Sequence, residues 1–163
     1  MPKAGIQFQK KDEWLTPKEV VDFFGPFDYD PATTKEQAEH LGIEVFDDIN
    51  SDGLKSDWGH YRRIWVNPPF TMKFEFLKKA VETVEQKVGT RIFFLLPIES
   101  MTTKAFYEIM GDKNYILHLP NGRIKFDDGS GKTSSPAFGS VILEFSGLTQ
   151  TKKIKHWRLY DNR

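Results

Sequence analysis

The sequence predicts an α/β protein built on a mostly parallel β-sheet, with an antiparallel hairpin toward the C-terminus. Three observations carry this. Short apolar runs alternate with amphipathic helical stretches, the pattern of parallel strands joined by crossover helices. The run Arg91-Ile92-Phe93-Phe94-Leu95-Leu96 is apolar without alternation and closes at Pro97, which suits a strand buried on both faces. Near the C-terminus, two strand-like runs flank a Gly/Ser-rich stretch with no helical pattern between them.

Taken in order, residues 1–12 are polar and read as a loose N-terminus. Thr16-Pro17 opens a short helix, with Thr16 as N-cap and Pro17 in the first helical position, and Gly25-Pro26 ends it. Phe27 to Asp30 is a strand that stops at Pro31. Thr34 caps a helix to Leu41, and Gly42 terminates it. Ile43 to Phe46 is a short strand, Asp47 to Gly59 a turn-rich loop, and Ile64-Trp65-Val66 the next strand. Phe74, Leu77, Val81 and Val84 then recur at helical spacing and mark the buried stripe of a helix that Gly89 ends. After the 91–96 strand, Thr102 or Thr103 caps a helix to Met110, and Tyr115 to Leu119 forms another strand. Arg123-Ile124-Lys125-Phe126 and Ser140 to Phe145 are read as the two arms of the hairpin, and Lys153 to Tyr160 as a final strand.

The 163 residues suit one domain, and 39% hydrophobic against 28% charged residues is the balance of an ordinary globular chain. No apolar run is long enough to span a bilayer, and the first residues lack the apolar stretch of a signal peptide. With no cysteine, disulfides, thiolate metal sites and a Cys nucleophile are excluded. The charge balances at 23 basic against 23 acidic residues, which weighs against a dedicated nucleic-acid binder. Two basic, aromatic-bearing clusters weigh the other way: His60-Tyr61-Arg62-Arg63, and Lys152 to Arg158.

The most distinctive segment is Asn67-Pro68-Pro69-Phe70, directly after the strand Ile64-Trp65-Val66. Its prolines donate no backbone hydrogen bond and hold their own and the preceding residue's backbone extended. The segment is therefore a rigid loop presenting the Asn67 side-chain oxygen and the Pro68 carbonyl as acceptors, beside the ring of Phe70. Two acceptors next to a stacking face suit a planar ring bearing an exocyclic amino group. This run resembles the (D/N/S)-P-P-(Y/F/W) motif of amino-group methyltransferases, whose Asn form is typical of adenine-N6 enzymes.

Other segments extend the likeness. Glu13-Trp14-Leu15-Thr16-Pro17, Asp28-Tyr29-Asp30-Pro31-Ala32-Thr33, Asp52-Gly53-Leu54 with Trp58, Leu96-Pro97, Gly122 to Phe126, and Ser135-Pro136-Ala137-Phe138 fall in the order seen in the phage-type DNA N-6-adenine methyltransferase family. The resemblance spans about Trp14 to Phe145 and rests on the order and spacing of several motifs together. It implies a Rossmann-like, S-adenosylmethionine-dependent methyltransferase fold with Asn67, Pro68, Pro69 and Phe70 as the catalytic loop. Trp14, Thr16, Pro17, Asp30, Pro31, Ala32, Asp52 and Leu54 would line the cofactor, with Asp30 near its methionine part. Asp47, Asp48 and Asp57 compete with Asp52 for the ribose hydroxyls or the adenine amino group. No glycine-rich loop follows the first strand; Asp-Pro-(small) stands in its place.

Duplex DNA would be the partner, contacted by Arg62, Arg63, Arg123, Lys125, Phe126, Lys132 and Ser135. Phe126 or Phe138 would supply a second stacking face, the core being the competing role for each. Gly131-Lys132-Thr133 mimics the end of a phosphate-binding loop, but Phe126 stands where that motif needs glycine. No metal and no membrane are expected. The resemblance further implies a bacteriophage or prophage source and the cytoplasm of a bacterial host. Transfer to another amino group (cytosine N4, RNA or protein glutamine) and a non-catalytic DNA- or cofactor-binding remnant stay open beside adenine-N6 transfer. The sequence gives no oligomeric state.

Overall fold

The computed structural model describes residues 15–48, 50–127, 133–134 and 138–160. The expectations for Trp14, Lys132, Ser135, Pro136, Ala137 and residues 1–12 lie outside this set.

Four α-helices and seven strands are described: α1 (Lys18–Phe24), α2 (Lys35–Leu41), β1 (Arg63–Val66), α3 (Lys73–Gln86), β2 (Arg91–Pro97), α4 (Lys104–Met110), β3 (Ile116–Pro120), β4 (Phe126–Asp127), β5 (Thr133–Ser134), β6 (Ser140–Ser146) and β7 (Lys153–Trp157). The main sheet runs β1-β2-β6-β3-β7. Beyond β1 it continues through parallel bridges, Tyr29 to Ile64 and Asp30 to Phe46, so the predicted strands at 27–30 and 43–46 survive as short extended segments at that edge. β1 pairs in parallel with β2, and β3 with β7, whereas β6 runs antiparallel to both β2 and β3.

The placement of β6 corrects the predicted hairpin. Phe126–Asp127 pairs with Thr133–Ser134 in a separate two-stranded ribbon, and β6 inserts into the main sheet. The cause is burial. Ser140–Ser146 is buried on both faces, with Glu144 half-buried and an apolar run from Val141 to Leu143, and a strand of that kind is stable only inside a sheet covered on both sides.

Alternate side chains of each strand serve opposite faces. Ile64, Val66, Ile92, Phe94, Leu96, Val141, Leu143 and Phe145 pack with α3 and α4, which supply Leu77, Ala80, Val84, Phe106 and Met110. Trp65, Phe93, Leu95, Ile142 and Trp157 pack with α1 and α2 through Val20, Val21, Phe24 and Leu41. The predicted stripe on α3 is buried at Leu77, Val81 and Val84, while Phe74 packs half-buried at its edge. The helix stops earlier than Gly89, at Gln86 with Lys87 as its cap. Thr34 and Thr103 cap α2 and α4 as predicted, accepting from Gln37 and Phe106 N–H, and Gly42 ends α2 with φ +73°. Thr16 does not cap: α1 begins at Lys18, with Pro17 in the cap position and no side-chain cap.

The carboxylate of Glu144 inside this sheet is compensated. Glu144 accepts from Arg91 Nη1 and pairs with His118 Nε2, each at 2.8 Å. The hydrogen bond to His118 is the main cause that holds the Glu144 carboxyl below the usual carboxylate range, against the opposing effect of burial. A depressed folded-state pKa gives stability that is present above the unfolded value and is lost as pH falls through the folded one. Glu144→Gln is therefore expected to cost about 1–3 kcal/mol at neutral pH. Urea unfolding between pH 3 and 7 should also show a shallower acid loss in the variant than in the parent; equal slopes would remove Glu144 from that role.

Candidate active site at the strand ends

The chain leaves Asp30 through α2 toward the Phe46 edge, then returns to form β1 on the opposite side of the 27–30 segment. Successive connections thus diverge between Asp30 and Asn67. Open α/β sheets form a ligand crevice at such a divergence, outside the carboxyl ends of the strands. Because Tyr29 pairs with Ile64 in parallel, Pro31 falls opposite Val66, and the turns that follow the two strands emerge side by side, about 4.8 Å apart by strand spacing.

Asn67 follows β1 half-buried, and Pro68 and Pro69 are buried beneath it. Pro69 is extended, with φ −53° and ψ 134°, and its carbonyl accepts from Met72 N–H to start a 3-10 turn over Phe70–Met72 that leads into α3. Strand, rigid extended loop and helix therefore follow in immediate succession. The Asn67 Nδ2 donates to Thr16 Oγ1 at 3.0 Å. Its Oδ1 is left without a partner among the described residues.

Asp30 is fully buried. One carboxylate oxygen accepts from Ala32 N–H at 3.0 Å, and the other is buried with no partner among the described residues. Burial is the main cause that pushes its carboxyl up to about 7; the charge of Asp47 adds to this and the Ala32 N–H opposes it. An unmatched carboxylate oxygen in a closed setting costs free energy unless a donor or cation meets it. Asp47 stands at the end of the neighbouring extended segment and accepts from the Tyr29 hydroxyl. Burial first, and this bond second, push the Tyr29 pKa above its ordinary value.

The four acidic candidates of the 47–57 loop separate by geometry. Asp48 closes its own turn by accepting from Asn50 and Ser51 N–H, and Asp57 accepts from Gly59 N–H at the start of a 3-10 turn. Asp52 adopts φ 51° and accepts from Leu54 N–H, next to Gly53. Gly53 lies against the Asp30-Pro31 turn so closely that a β-carbon would sit 1.8 Å from the Pro31 carbonyl oxygen. The indole of Trp58 donates to the Gly53 carbonyl at 2.8 Å and pins the loop there. Asp52, Leu54, Asp30, Pro31 and Ala32 are thereby brought together, with Asp47 alongside.

The aromatic and basic residues divide as well. Phe138 faces Phe70, ring centroids 6.3 Å apart and planes inclined at 38°. Phe126 is instead buried in the core against the α1 side of the sheet, so it cannot face a ligand. Lys73 Nζ lies 4.0 Å from the Phe70 centroid. Arg62 and Arg63 enter β1 at its amino end, about 13 Å along the strand from Asn67. There Arg63 donates to the carbonyls of Phe24 and Pro26 and lies over the ring of Phe93, binding α1 to the sheet. Arg123 and Lys125 lie just before β4, and Asp127 in β4 pairs with Leu15 beside Thr16. The Lys153–His156 stretch of β7 is exposed on the far edge of the sheet, separated from β1 by β2, β6 and β3.

Gln37 was not singled out from the sequence, although it joins the crevice residues. Its Oε1 accepts from Thr16 N–H at 2.9 Å and its Nε2 donates to Thr33 Oγ1 at 3.3 Å. A glutamine on the buried face of a short helix, three positions after its cap, was the available signal.

This architecture is that of the class I S-adenosylmethionine-dependent methyltransferases. A solved Listeria monocytogenes structure assigned to that class superposes with a TM-score of 0.55, over 97% of this chain and 69% of the other, at 14% identity. The chain belongs to the DNA N-6-adenine-methyltransferase (Dam) family, whose sequence model matches residues 3–158. A relative from Escherichia phage T1, named DNA N-6-adenine-methyltransferase, is 33% identical over 96 residues, which cover 56% of this chain and 38% of the phage protein. The match therefore spans well under half of that relative's length.

Gly53→Ala is expected to displace the 52–54 loop from Pro31, because backbone cannot yield to a β-carbon at that distance. A loss of about 1–3 kcal/mol in denaturant unfolding is the predicted outcome. An unchanged unfolding midpoint would show that the loop is not clamped there.

Proposed function

We propose that this chain transfers a methyl group from S-adenosylmethionine to the exocyclic N6 of adenine in duplex DNA. The observation that carries this reading is the orientation of Asn67, whose Nδ2 is engaged by Thr16 while its Oδ1 has no partner among the described residues. It stands one strand away from the buried, half-satisfied carboxylate of Asp30.

The residues present fit the cofactor. The unmatched oxygen of Asp30 suits the ammonium group of its methionine part, and Asp52 or Asp47 suits the ribose hydroxyls. Ala32 is small and buried beside Asp30. When bound, S-adenosylmethionine would supply an electrophilic sulfonium methyl to the amine nitrogen and would keep the electron pair of the broken carbon–sulfur bond as its thioether product.

The protein's part is positioning. A base inside a duplex cannot reach this crevice, so the adenine is extruded. The rings of Phe70 and Phe138 form the walls against which it stacks. Asn67 Oδ1 and the Pro68 carbonyl accept the two amino hydrogens, which turns the nitrogen lone pair out of conjugation with the ring and toward the methyl. The surplus proton of the methylated amine passes to water. No side chain forms a covalent bond, and the rate comes from orientation and preorganised acceptors. Arg123 and Lys125, just before β4, supply phosphate contacts, and Arg62 and Arg63 are not assigned to that surface.

The test is transfer of labelled methyl from S-adenosylmethionine to unmethylated duplex DNA, followed by digestion to nucleosides. Label is expected in N6-methyladenosine. Asn67→Ala is expected to lower transfer by at least about a hundredfold while cofactor affinity stays within a few-fold by calorimetry. Loss of both together would show that Asn67 belongs to the cofactor site, and label in another acceptor would overturn the choice of adenine.

Cofactor binding is also expected to depend on pH. A ligand cation beside Asp30 favours its ionised form, so binding releases a proton wherever the free carboxyl is protonated. Affinity should therefore rise with pH toward about 7, where Asp30 titrates in the free protein, and flatten above it. Asp47 and the Tyr29 hydroxyl are the other ionisable groups close by, and Tyr29 stays protonated throughout. Calorimetry from pH 5.5 to 7.5 in buffers of different ionisation enthalpy would measure the proton release; Asp30→Asn should abolish it. A flat profile in the parent would remove Asp30 from the cofactor's charged end.

A further inference from the structure

Thr16 stands just before Pro17 at the entrance to α1, where a threonine hydroxyl usually caps the helix. Here it does not: the cap position is Pro17, and the first turn has no side-chain cap. Thr16 is fully buried. Its hydroxyl oxygen is instead directed 51 residues along the chain, where it accepts from Asn67 Nδ2 at 3.0 Å.

The residue is itself held from several sides. Its backbone N–H donates to Gln37 Oε1, and Gln37, buried on α2, is fixed in turn by Thr33 Oγ1. The preceding residue, Leu15, is paired with Asp127 through reciprocal backbone hydrogen bonds of 2.7 and 2.9 Å. The hydroxyl that meets Asn67 therefore belongs to a frame anchored on α2, β4 and the Asp30-to-Thr33 turn, and does not drift with the start of a short helix.

We infer that Thr16 is a positioning residue for the methyl-accepting amine: by engaging Asn67 Nδ2 it holds the carboxamide with Oδ1 toward the crevice. This rests on the function proposed above. A carboxamide has two ends of nearly equal size and opposite hydrogen-bonding sense. Turned over, Asn67 would present N–H groups to the amino hydrogens it is meant to accept, and donor would face donor. Without a partner at Thr16, Nδ2 would be left against an apolar wall, a costly position for a donor, and the amide would turn it to the open crevice. Holding the amide before substrate arrives removes that reorganisation from the reaction.

The distinguishing substitution is Thr16→Val, which replaces the hydroxyl by a methyl of similar size, compared with Thr16→Ser, which keeps the hydroxyl and drops the methyl. In the valine variant kcat is expected to fall about tenfold to a hundredfold, with S-adenosylmethionine affinity and the KM for DNA within about threefold. Thr16→Ser should recover most of the loss. An unchanged kcat in the valine variant overturns the inference. A parallel loss of cofactor affinity makes Thr16 a cofactor ligand and overturns it too, and a serine variant as poor as valine reduces its role to packing.

A measurement that needs no turnover separates this inference from the proposed reaction. The Asn67 side-chain amide protons, assigned in NMR spectra by their disappearance in Asn67→Ala, should exchange slowly in the parent and Thr16→Ser and faster in Thr16→Val. Equal exchange in all three would sink the positioning role whatever the methyl acceptor proves to be. Slow exchange in a parent that is inactive on DNA would leave the positioning role standing and refute adenine in DNA as the acceptor.

Discussion

The parallel pairing of Tyr29 with Ile64 is the contact on which the site depends. It makes the 27–30 segment and β1 neighbours, although the chain between them travels out to Phe46 and back. With these strands adjacent, the turns at Asp30-Pro31 and Asn67-Pro68 open into one crevice. The same pairing buries Asp30, leaving a carboxylate oxygen with nothing to accept from among the described residues. Its raised pKa follows from that placement.

Rigidity around the crevice comes from different sources on each side. On the Asn67 side it is covalent, because two consecutive prolines leave the loop little freedom. On the Asp30 side it is steric and polar. Gly53 approaches the Pro31 carbonyl at a distance that no side chain permits, and the Trp58 indole holds it there. Thr16 and Gln37 join the two sides, reaching from Asn67 to Thr33 through three hydrogen bonds.

Charge is distributed by role and less by proximity to the motif. Arg63 lies close to Asn67 in sequence but at the opposite end of the strand, where its guanidinium satisfies carbonyls of the α1 turn. The basic run of β7 lies about four strand spacings, or about 19 Å, from β1. Lys73 lies over the Phe70 ring and Lys55 pairs with Asp52, so cations do stand beside the loops that form the crevice although the chain carries no net charge.

The fold class, most element boundaries and the rigid loop at Asn67–Phe70 were legible in the sequence because they rest on local chemistry. Periodicity marks a buried stripe on α3, Thr34 and Thr103 cap by short-range hydrogen bonds, and Pro68-Pro69 stiffens the backbone wherever it stands. What the sequence left open depended on distant partners. Phe126 and Phe138 carry the same side chain, and only packing sends one to the core and the other to Phe70. The strand at 140–146 follows a turn-rich stretch as a hairpin arm would, yet its two faces find enough cover only between β2 and β3. Thr16 looks like a helix cap, and only the return of the chain at β1 offers its hydroxyl another partner. The sequence by itself determined which segments are strand, helix and rigid loop, since those choices are settled within a few residues. The tertiary structure alone decided which oxygen stays unmatched and which face of Asn67 is presented, because burial and hydrogen bonding between remote segments exist only once the sheet has closed.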